Sequence, residues 1–337
     1  MVRNTCLTEP VLTDPLLMVR NAQKIERVLI AYDGSGYSRA ALNELRHSGL
    51  PQKAEVLIIS VSEIWLPVGY EDSEIIVDSD VSEYYEKYRE QTNRDLTETK
   101  AIVSAAREEL IRYFPNWKIN TEAVWGSPAK EILSRASEFK PDLIVVGPQG
   151  LSSDRETGLG SISHEILATA KCSVRVSRLK PEASLRRLKI MIGFDASYES
   201  MAAVMAVALR PWKTKPEVRL LTITYPFTLL EPGRVFQPIP GMSEGRMAGE
   251  EKWVKTLAAD ALQILLEGGF PATLNIYSGN PRIVLSREAQ EWEADSIFIG
   301  AHSREIQQEF YSIGCVASAI ASRADCSVEV VREQFAK

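Results

Sequence analysis

The sequence predicts an α/β protein of two doubly wound domains in tandem, each a parallel sheet with helices on both faces. Three observations carry this: the chain repeats itself, its strands read as short continuous apolar runs, and helical stripes separate those runs. Arg27-Val-Leu-Ile-Ala-Tyr-Asp33-Gly-Ser35 recurs as Lys189-Ile-Met-Ile-Gly-Phe-Asp195-Ala-Ser197, 162 residues later, and Val56–Val61 recurs as Val218–Ile223 at the same offset. Gly126-Ser-Pro128 and Asp142–Gly147 return as Gly279-Asn-Pro281 and Asp295–Gly300 at an offset of 153, and Cys172-Ser-Val174 as Cys326-Ser-Val328 at 154. A period of this size is that of a whole domain, not of a short solenoid repeat. The drop in offset shortens the second copy by nine residues between its counterparts of Val61 and Gly126, and the later rise lengthens it by one.

Each copy then reads element by element. Val28–Tyr32 and Leu143–Val146 are apolar without alternation, as strands covered on both faces are. Ser38 to Leu45 follows the first strand as a helix. Leu96, Val103, Ala106, Leu110 and Phe114 share one helical stripe, which Pro115 ends. Pro128 suits the first turn of a helix running to Phe139, and another runs from Gly160-Ser161 to about Ala170. Alternating strands and helices, twice over, make a doubly wound fold in tandem. The divisions are an N-terminal arm at 1–24, a first domain at 25–180, a linker at 181–187 and a second domain at 188–333. The basic run from Leu179 to Arg187 reads as a solvated connector.

Composition limits what such a fold can do. Hydrophobic residues are 45% and charged residues 25% of 337, an ordinary globular balance. A net charge of −6 argues against DNA, RNA or an anionic membrane as partner, because those require a basic footprint. Cys6, Cys172, Cys315 and Cys326 include no Cys-x-x-Cys pair, and His47, His164 and His302 lie far apart, so neither a disulfide scaffold nor a histidine-rich metal site is expected. Cys172 and Cys326, each just before a last strand, read as small buried hydrophobes. His302 reads as a loop residue and His164 as part of a helix's first turn. The most apolar N-terminal run, Pro10 to Val19, is broken by Asp14 and Pro15, and no run reaches the ~18 apolar residues of a membrane span. A cytoplasmic protein with reduced thiols is expected.

Two strand ends of the first copy carry the candidate chemistry. One is Tyr32-Asp33-Gly34-Ser35-Gly36. The other is Gly147-Pro-Gln-Gly150, followed after a polar loop by Gly158-Leu-Gly160-Ser161-Ile162-Ser163, which opens a helix. Gly147 and Gly150 allow positive φ and let a ligand approach the main chain without a Cβ in the way. The free N–H groups and dipole at the helix start favour an anion, and Ser161 and Ser163 add hydroxyls. This is a phosphate cradle in physical terms, with a loop of turn glycines as the plain structural alternative. It is neither a P-loop, since the lysine is missing, nor a dinucleotide fingerprint, since Ser163 stands where a third glycine belongs.

Gly147-x2-Gly150-x9-Gly160-Ser161 resembles the nucleotide-binding signature of the universal stress protein family. Asp33-Gly-Ser35, Gly126-x-Pro128 and Ala170-Lys-Cys172-Ser-Val174-Arg-Val176 extend the resemblance, which spans both copies. It implies Rossmann-like domains, each a five-stranded parallel sheet of order 3-2-1-4-5, and ATP, with or without Mg²⁺, as the ligand of the first. Carried over by position, Ala31 and Asp33 would lie by adenine and ribose and Val61 by adenine. Gly147, Gly150, Gly160, Ser161, Ile162 and Ser163 would hold ribose and phosphates. For Asp33 a role at the helix N-cap is the structural alternative.

The second copy departs from this signature. Gly300-Ala-His-Ser303 lacks the second glycine, and Gly314-Cys315 follows one residue late, after an acidic, bulky stretch from Glu305 to Tyr311. The expectation is ATP in the first domain only, with the second as a degenerate structural partner. The resemblance further implies an intramolecular pseudo-dimer joined through the last strands, Ser173–Ser177 against Ser327–Val331, which would also cover exposed edges. Association of whole chains into a homodimer is left open. The function implied is stress response or signalling through nucleotide-dependent conformation. The alternative is a slow ATP hydrolase or phosphoryl-transfer enzyme, for which no lysine, arginine finger or base stands beside the glycine loop except Arg155 within it. No catalytic residue and no metal ligand is assigned.

Overall fold

The computed structural model describes residues 24–63, 79–150, 158–180, 186–224, 243–301 and 313–332. The arm, apart from Lys24, lies outside them, as do linker residues 181–185, Arg155, His302 and Glu305–Tyr311. In the first copy β1 (Arg27–Ala31), α1 (Gly36–Glu44), β2 (Glu55–Ser62), α2 (Ser79–Tyr113), β3 (Lys118–Trp125), α3 (Pro128–Phe139), β4 (Leu143–Val146), α4 (Ser161–Thr169) and β5 (Ser173–Val176) follow in order. The second repeats them as β6 (Lys189–Gly193), α5 (Tyr198–Ala208), β7 (Glu217–Thr224), α6 (Ser243–Glu267), β8 (Ala272–Ser278), α7 (Pro281–Glu291), β9 (Ser296–Gly300), α8 (Cys315–Arg323) and β10 (Ser327–Val331).

Local chemistry accounts for the element starts. Ser35 and Ser197 cap α1 and α5, each side chain accepting the N–H of the third residue on, Ser38 or Ser200. Pro128 and Pro281 stand in the first turns of α3 and α7. The glycines before them, Gly126 and Gly279, take φ 143°, which a side chain would resist. The Asp33-Gly-Ser turn uses Gly34 at φ 78°, whereas Ala196 adopts φ 61° at the matching point of the second copy. A left-handed alanine costs roughly 1–2 kcal/mol. Ala196→Gly is therefore expected to stabilise the chain by about 1 kcal/mol in urea unfolding, net of glycine's greater unfolded-state entropy.

Each copy is a doubly wound unit whose strands run 3-2-1-4-5 in their own order. The two sheets are not separate, however. The ten strands described form one sheet, β3-β2-β1-β4-β5-β10-β9-β6-β7-β8, parallel within each copy and antiparallel where β5 meets β10. The register there is Val174↔Val330, Arg175↔Glu329 and Val176↔Val328.

The two faces are built differently. On one, under α3, α4, α7 and α8, a single apolar core runs across the seam from Leu29 and Ile144 through Val174, Val176, Val328 and Val330 to Ile297 and Met191. On the other, under α1 and α2 in one copy and α5 and α6 in the other, each copy has its own core. Strand alternation sends Arg175 and Glu329 toward this second face, into the space between those cores. Arg175, wholly buried, donates from Nε to Glu44 Oε2 (3.0 Å), from Nη1 to Glu329 Oε2 (3.1 Å) and from Nη2 to Glu44 Oε1 and Ser296 Oγ. Arg210 bonds the other oxygen of Glu329 and the Ser48 carbonyl (2.7 Å). Two cations and two anions thus neutralise one another away from water. Burial alone would depress the Arg175 guanidinium, but Glu44 and Glu329 outweigh it and hold the group above its usual range.

His47 lies in a short 3-10 turn (Leu45–His47) beside this seam. Burial, reinforced by Arg46, lowers its pKa. An imidazole whose folded pKa lies below its unfolded value takes its proton first in the unfolded chain, so stability is full above about pH 6.5 and falls below it. Melting temperatures at pH 7.5 and 5.5 are expected to differ less in His47→Gln than in the parent chain.

Candidate functional site

The site forms where β1 and β4 end side by side, at the carboxyl edge of the first copy's parallel strands, the usual ligand position in such sheets. Val28, Leu29 and Ile30 pair with Leu143, Ile144 and Val145, so the chain leaves both strands at the same level. After β1, Asp33 Oδ1 accepts the Ser35 N–H (3.0 Å). The carboxylate thereby holds the turn that Ser35 continues as N-cap, so the turn role and a position on the site's rim coexist in one residue.

After β4, Gly147 packs against the start of α1: a Cβ there would lie 3.3 Å from the Gln149 carbonyl oxygen and 3.4 Å from the Ser38 nitrogen. Gly150 differs, since among the described residues its Cβ would meet only Asp33 Oδ2, at 2.9 Å. Neither glycine takes positive φ; Gly158 does, at 110°. The expected left-handed turn thus falls at the far side of the loop. Gly147 serves close packing, while Gly150 presents main chain to the carboxylate across the site.

The Gly160 N–H donates to the Pro148 carbonyl (2.8 Å), drawing the second half of the motif onto the first. Gly160 is the N-cap of α4 and supplies no side-chain acceptor to its opening turn. Among the described residues no side chain caps the leading N–H groups of α4, the condition under which a helix start takes an anion. Ser161 is exposed beside them. Ser163 is buried and donates from its hydroxyl to the Gly147 carbonyl (2.8 Å), fastening the loop from behind. Ala31, Val61 and Ile162 are half-buried against the continuous apolar core, and Val61 lies two residues past Ile59, which pairs with Ala31. They form an apolar shelf on the same face as the cradle.

All nine residues singled out in the sequence belong to the strand ends, helix start and shelf just described. The wall holds one further residue, Gln149, buried between the two glycines, whose amide nitrogen donates to the Gly158 carbonyl (3.4 Å). Nothing in its local spacing marks it out.

The second copy keeps the turn, while Ser303, its counterpart of Gly150, lies outside the described residues. Asp195 Oδ1 accepts the Ser197 N–H at 3.0 Å, and Gly314 caps α8 without a side-chain acceptor. Gly300 is pressed onto α5, where a Cβ would lie 2.5 Å from the Glu199 carbonyl carbon. Burial pushes the Cys172 and Cys326 thiols up to about 12 and about 11, so both behave as packing groups.

Residues 24–178 and 187–332 each match the model of the universal stress protein family. The chain belongs to the universal stress protein family. Among its relatives, a universal stress protein of Bacillus subtilis is 31% identical over 154 residues, 45% of this chain and 98% of that protein. Another from Methanocaldococcus jannaschii is 27% identical over 168 residues, 49% of this chain and 89% of the relative. These universal stress proteins are thus single-copy counterparts of one half of the tandem chain. A solved universal stress protein from Archaeoglobus fulgidus aligns over 91% of this chain and 98% of its own, with TM-score 0.59 and 15% identity. A putative universal stress protein from Pseudomonas aeruginosa aligns over 91% and 93%, with TM-score 0.55 and 16% identity. At that identity the likeness is one of fold. Among the described residues no helix is long and apolar enough to cross a membrane.

Proposed function

We propose that this universal stress protein binds ATP in its first copy and acts in stress response or signalling through the conformation that occupancy selects. One observation carries the reading: Gly150 and the uncapped start of α4 offer bare main chain and N–H groups across from the Asp33 carboxylate. A polyanion suits the helix start, sugar hydroxyls can donate to the carboxylate, and the shelf of Ala31, Val61 and Ile162 suits a base. Gly147, Gly160, Ser161 and Ser163 shape and border the phosphate end. Mg²⁺, if it accompanies ATP, would arrive on the phosphates. The second copy, joined through β10 to β5, serves as the intramolecular partner that a separate chain would otherwise supply. The protein is assigned to the cytoplasm on its composition.

The test is calorimetric titration of ATP into the full chain, with chromatography of any nucleotide that co-purifies. One equivalent per chain at micromolar affinity, about −8.2 kcal/mol, is expected. Two equivalents would overturn the asymmetry between copies, and none would overturn the ATP assignment. Incubation with ATP and Mg²⁺ separates the binding role from catalysis: turnover of about 1 per second or faster would make the protein an enzyme.

A further inference from the structure

The seam between the copies has a pseudo-twofold axis, visible in two reciprocal clasps. Arg178 donates its N–H to Ser327 Oγ (2.9 Å) and Nη2 to the Ala321 carbonyl (2.7 Å) at the end of α8. Arg332 donates its N–H to Ser173 Oγ (3.0 Å) and Nη2 to the Leu167 carbonyl (2.6 Å) near the end of α4. The residues of the two clasps correspond at one offset, 154. The axis passes through the Arg175↔Glu329 pair, since Val174↔Val330 and Val176↔Val328 exchange around it. At that point, and nowhere in the clasps, the two copies differ in charge.

A residue pair on a twofold axis is a self-pair whenever identical surfaces meet. If two first copies joined through β5, Arg175 would face Arg175; two second copies joined through β10 would set Glu329 against Glu329. Like charges directly opposite one another in a sheet repel, and here no water would screen them. Each group has one partner of its own copy, Glu44 for Arg175 and Arg210 for Glu329, so it enters the seam ready to pair once more with the opposite sign. The symmetry is broken around the pair too: Ala206 occupies the position of Glu44, and Ser48 that of Arg210. Arg210 reaches across to the Ser48 carbonyl, and Arg175 to Ser296 Oγ, for which the first copy offers only Leu143 at the matching position.

We propose that the Arg175–Glu329 pair is a key that matches the β5 edge to a β10 edge, and bars pairing of β5 with β5 or β10 with β10. The edge that fits a first copy is a second copy, of the same chain or of another, whether or not nucleotide is bound.

The test uses full-length chains. Glu44→Gln with Arg175→Glu brings two carboxylates face to face at the centre of the seam. Arg210→Gln with Glu329→Arg brings two guanidinium groups face to face there instead. Each double variant is expected to melt about 5 °C or more below the parent. The chain carrying all four substitutions restores opposite charges with their signs reversed, and is expected to regain at least half of either loss. Co-refolding an equimolar mixture of the two double variants is expected to give a two-chain species by native mass spectrometry, because each chain's first copy then fits the other's second. If the double variants do not fold alone, the four-substitution chain and the mixture still report. Additive loss in the former, no two-chain species in the latter, or parental melting of both double variants would overturn the proposal.

Discussion

Replacing Gly150 with valine is expected to weaken ATP binding at least 100-fold, about 2.7 kcal/mol, with the melting temperature of the free protein held within about 2 °C. The first valine carbon would lie 2.9 Å from Asp33 Oδ2, inside the contact distance. Its two further methyl groups add bulk beside the Asp33 carboxylate. A ligand reaching the main chain there would lose both the approach and the carboxylate's position. The loss to the fold is expected to be small, because among the described residues the atom met is Asp33 Oδ2, the oxygen other than the one that holds the Ser35 turn, and the residue does not depend on positive φ. Gly147→Val provides the contrast. Its neighbours are main-chain atoms of α1 and of its own loop, so that variant is expected to lose stability as well as binding. Calorimetry with ATP, paired with thermal unfolding of the free chains, checks both outcomes. Undiminished affinity in Gly150→Val would remove the glycine loop from the site.

The largest stability effect is expected at Arg175. Arg175→Met leaves Glu44 and Glu329 buried with Arg210 as the remaining cation of the quartet, and removing one member of a buried ionic group typically costs about 3–5 kcal/mol. Methionine fills much of the volume of the arginine stem, so the loss measures charge more than cavity. The exposed pair Arg135–Glu122, 3.0 Å apart with side chains 33% and 42% accessible, is the control. Arg135→Met is expected to change stability by less than about 1 kcal/mol. Equilibrium unfolding in urea distinguishes the two, and a loss below about 1 kcal/mol for Arg175→Met would show that the buried quartet carries no net stability.

The two predictions draw on different layers of information. Gly150 was visible as a spacing, Gly-x2-Gly-x9-Gly-Ser, although the structure reassigns what its glycines do. Positive φ falls on Gly158, close packing on Gly147 and open approach on Gly150, a division that depends on α1 standing against β4. Ser163 shows the same limit. A serine at a helix start suggests a ligand donor, yet its hydroxyl is spent on the Gly147 carbonyl sixteen residues earlier.

What the chain's order of residues determined alone was local and repeated. Continuous apolar runs placed the strands, Pro128 and Ser35 placed helix starts, and the recurrence of both at a near-constant offset divided the chain into two like units. Such features are set within a few residues of one another, by backbone preference and periodic burial. The resemblance already implied that the last strands pair; only the tertiary structure decided the register of that pairing and that the seam is charged on one face and apolar on the other. Arg175, in the run Ser-Val-Arg-Val, is wholly buried because Glu329, 154 positions away, lies across from it. The physical reason is that a charge is tolerated inside only when its counter-charge arrives, and that arrival depends on how distant segments meet.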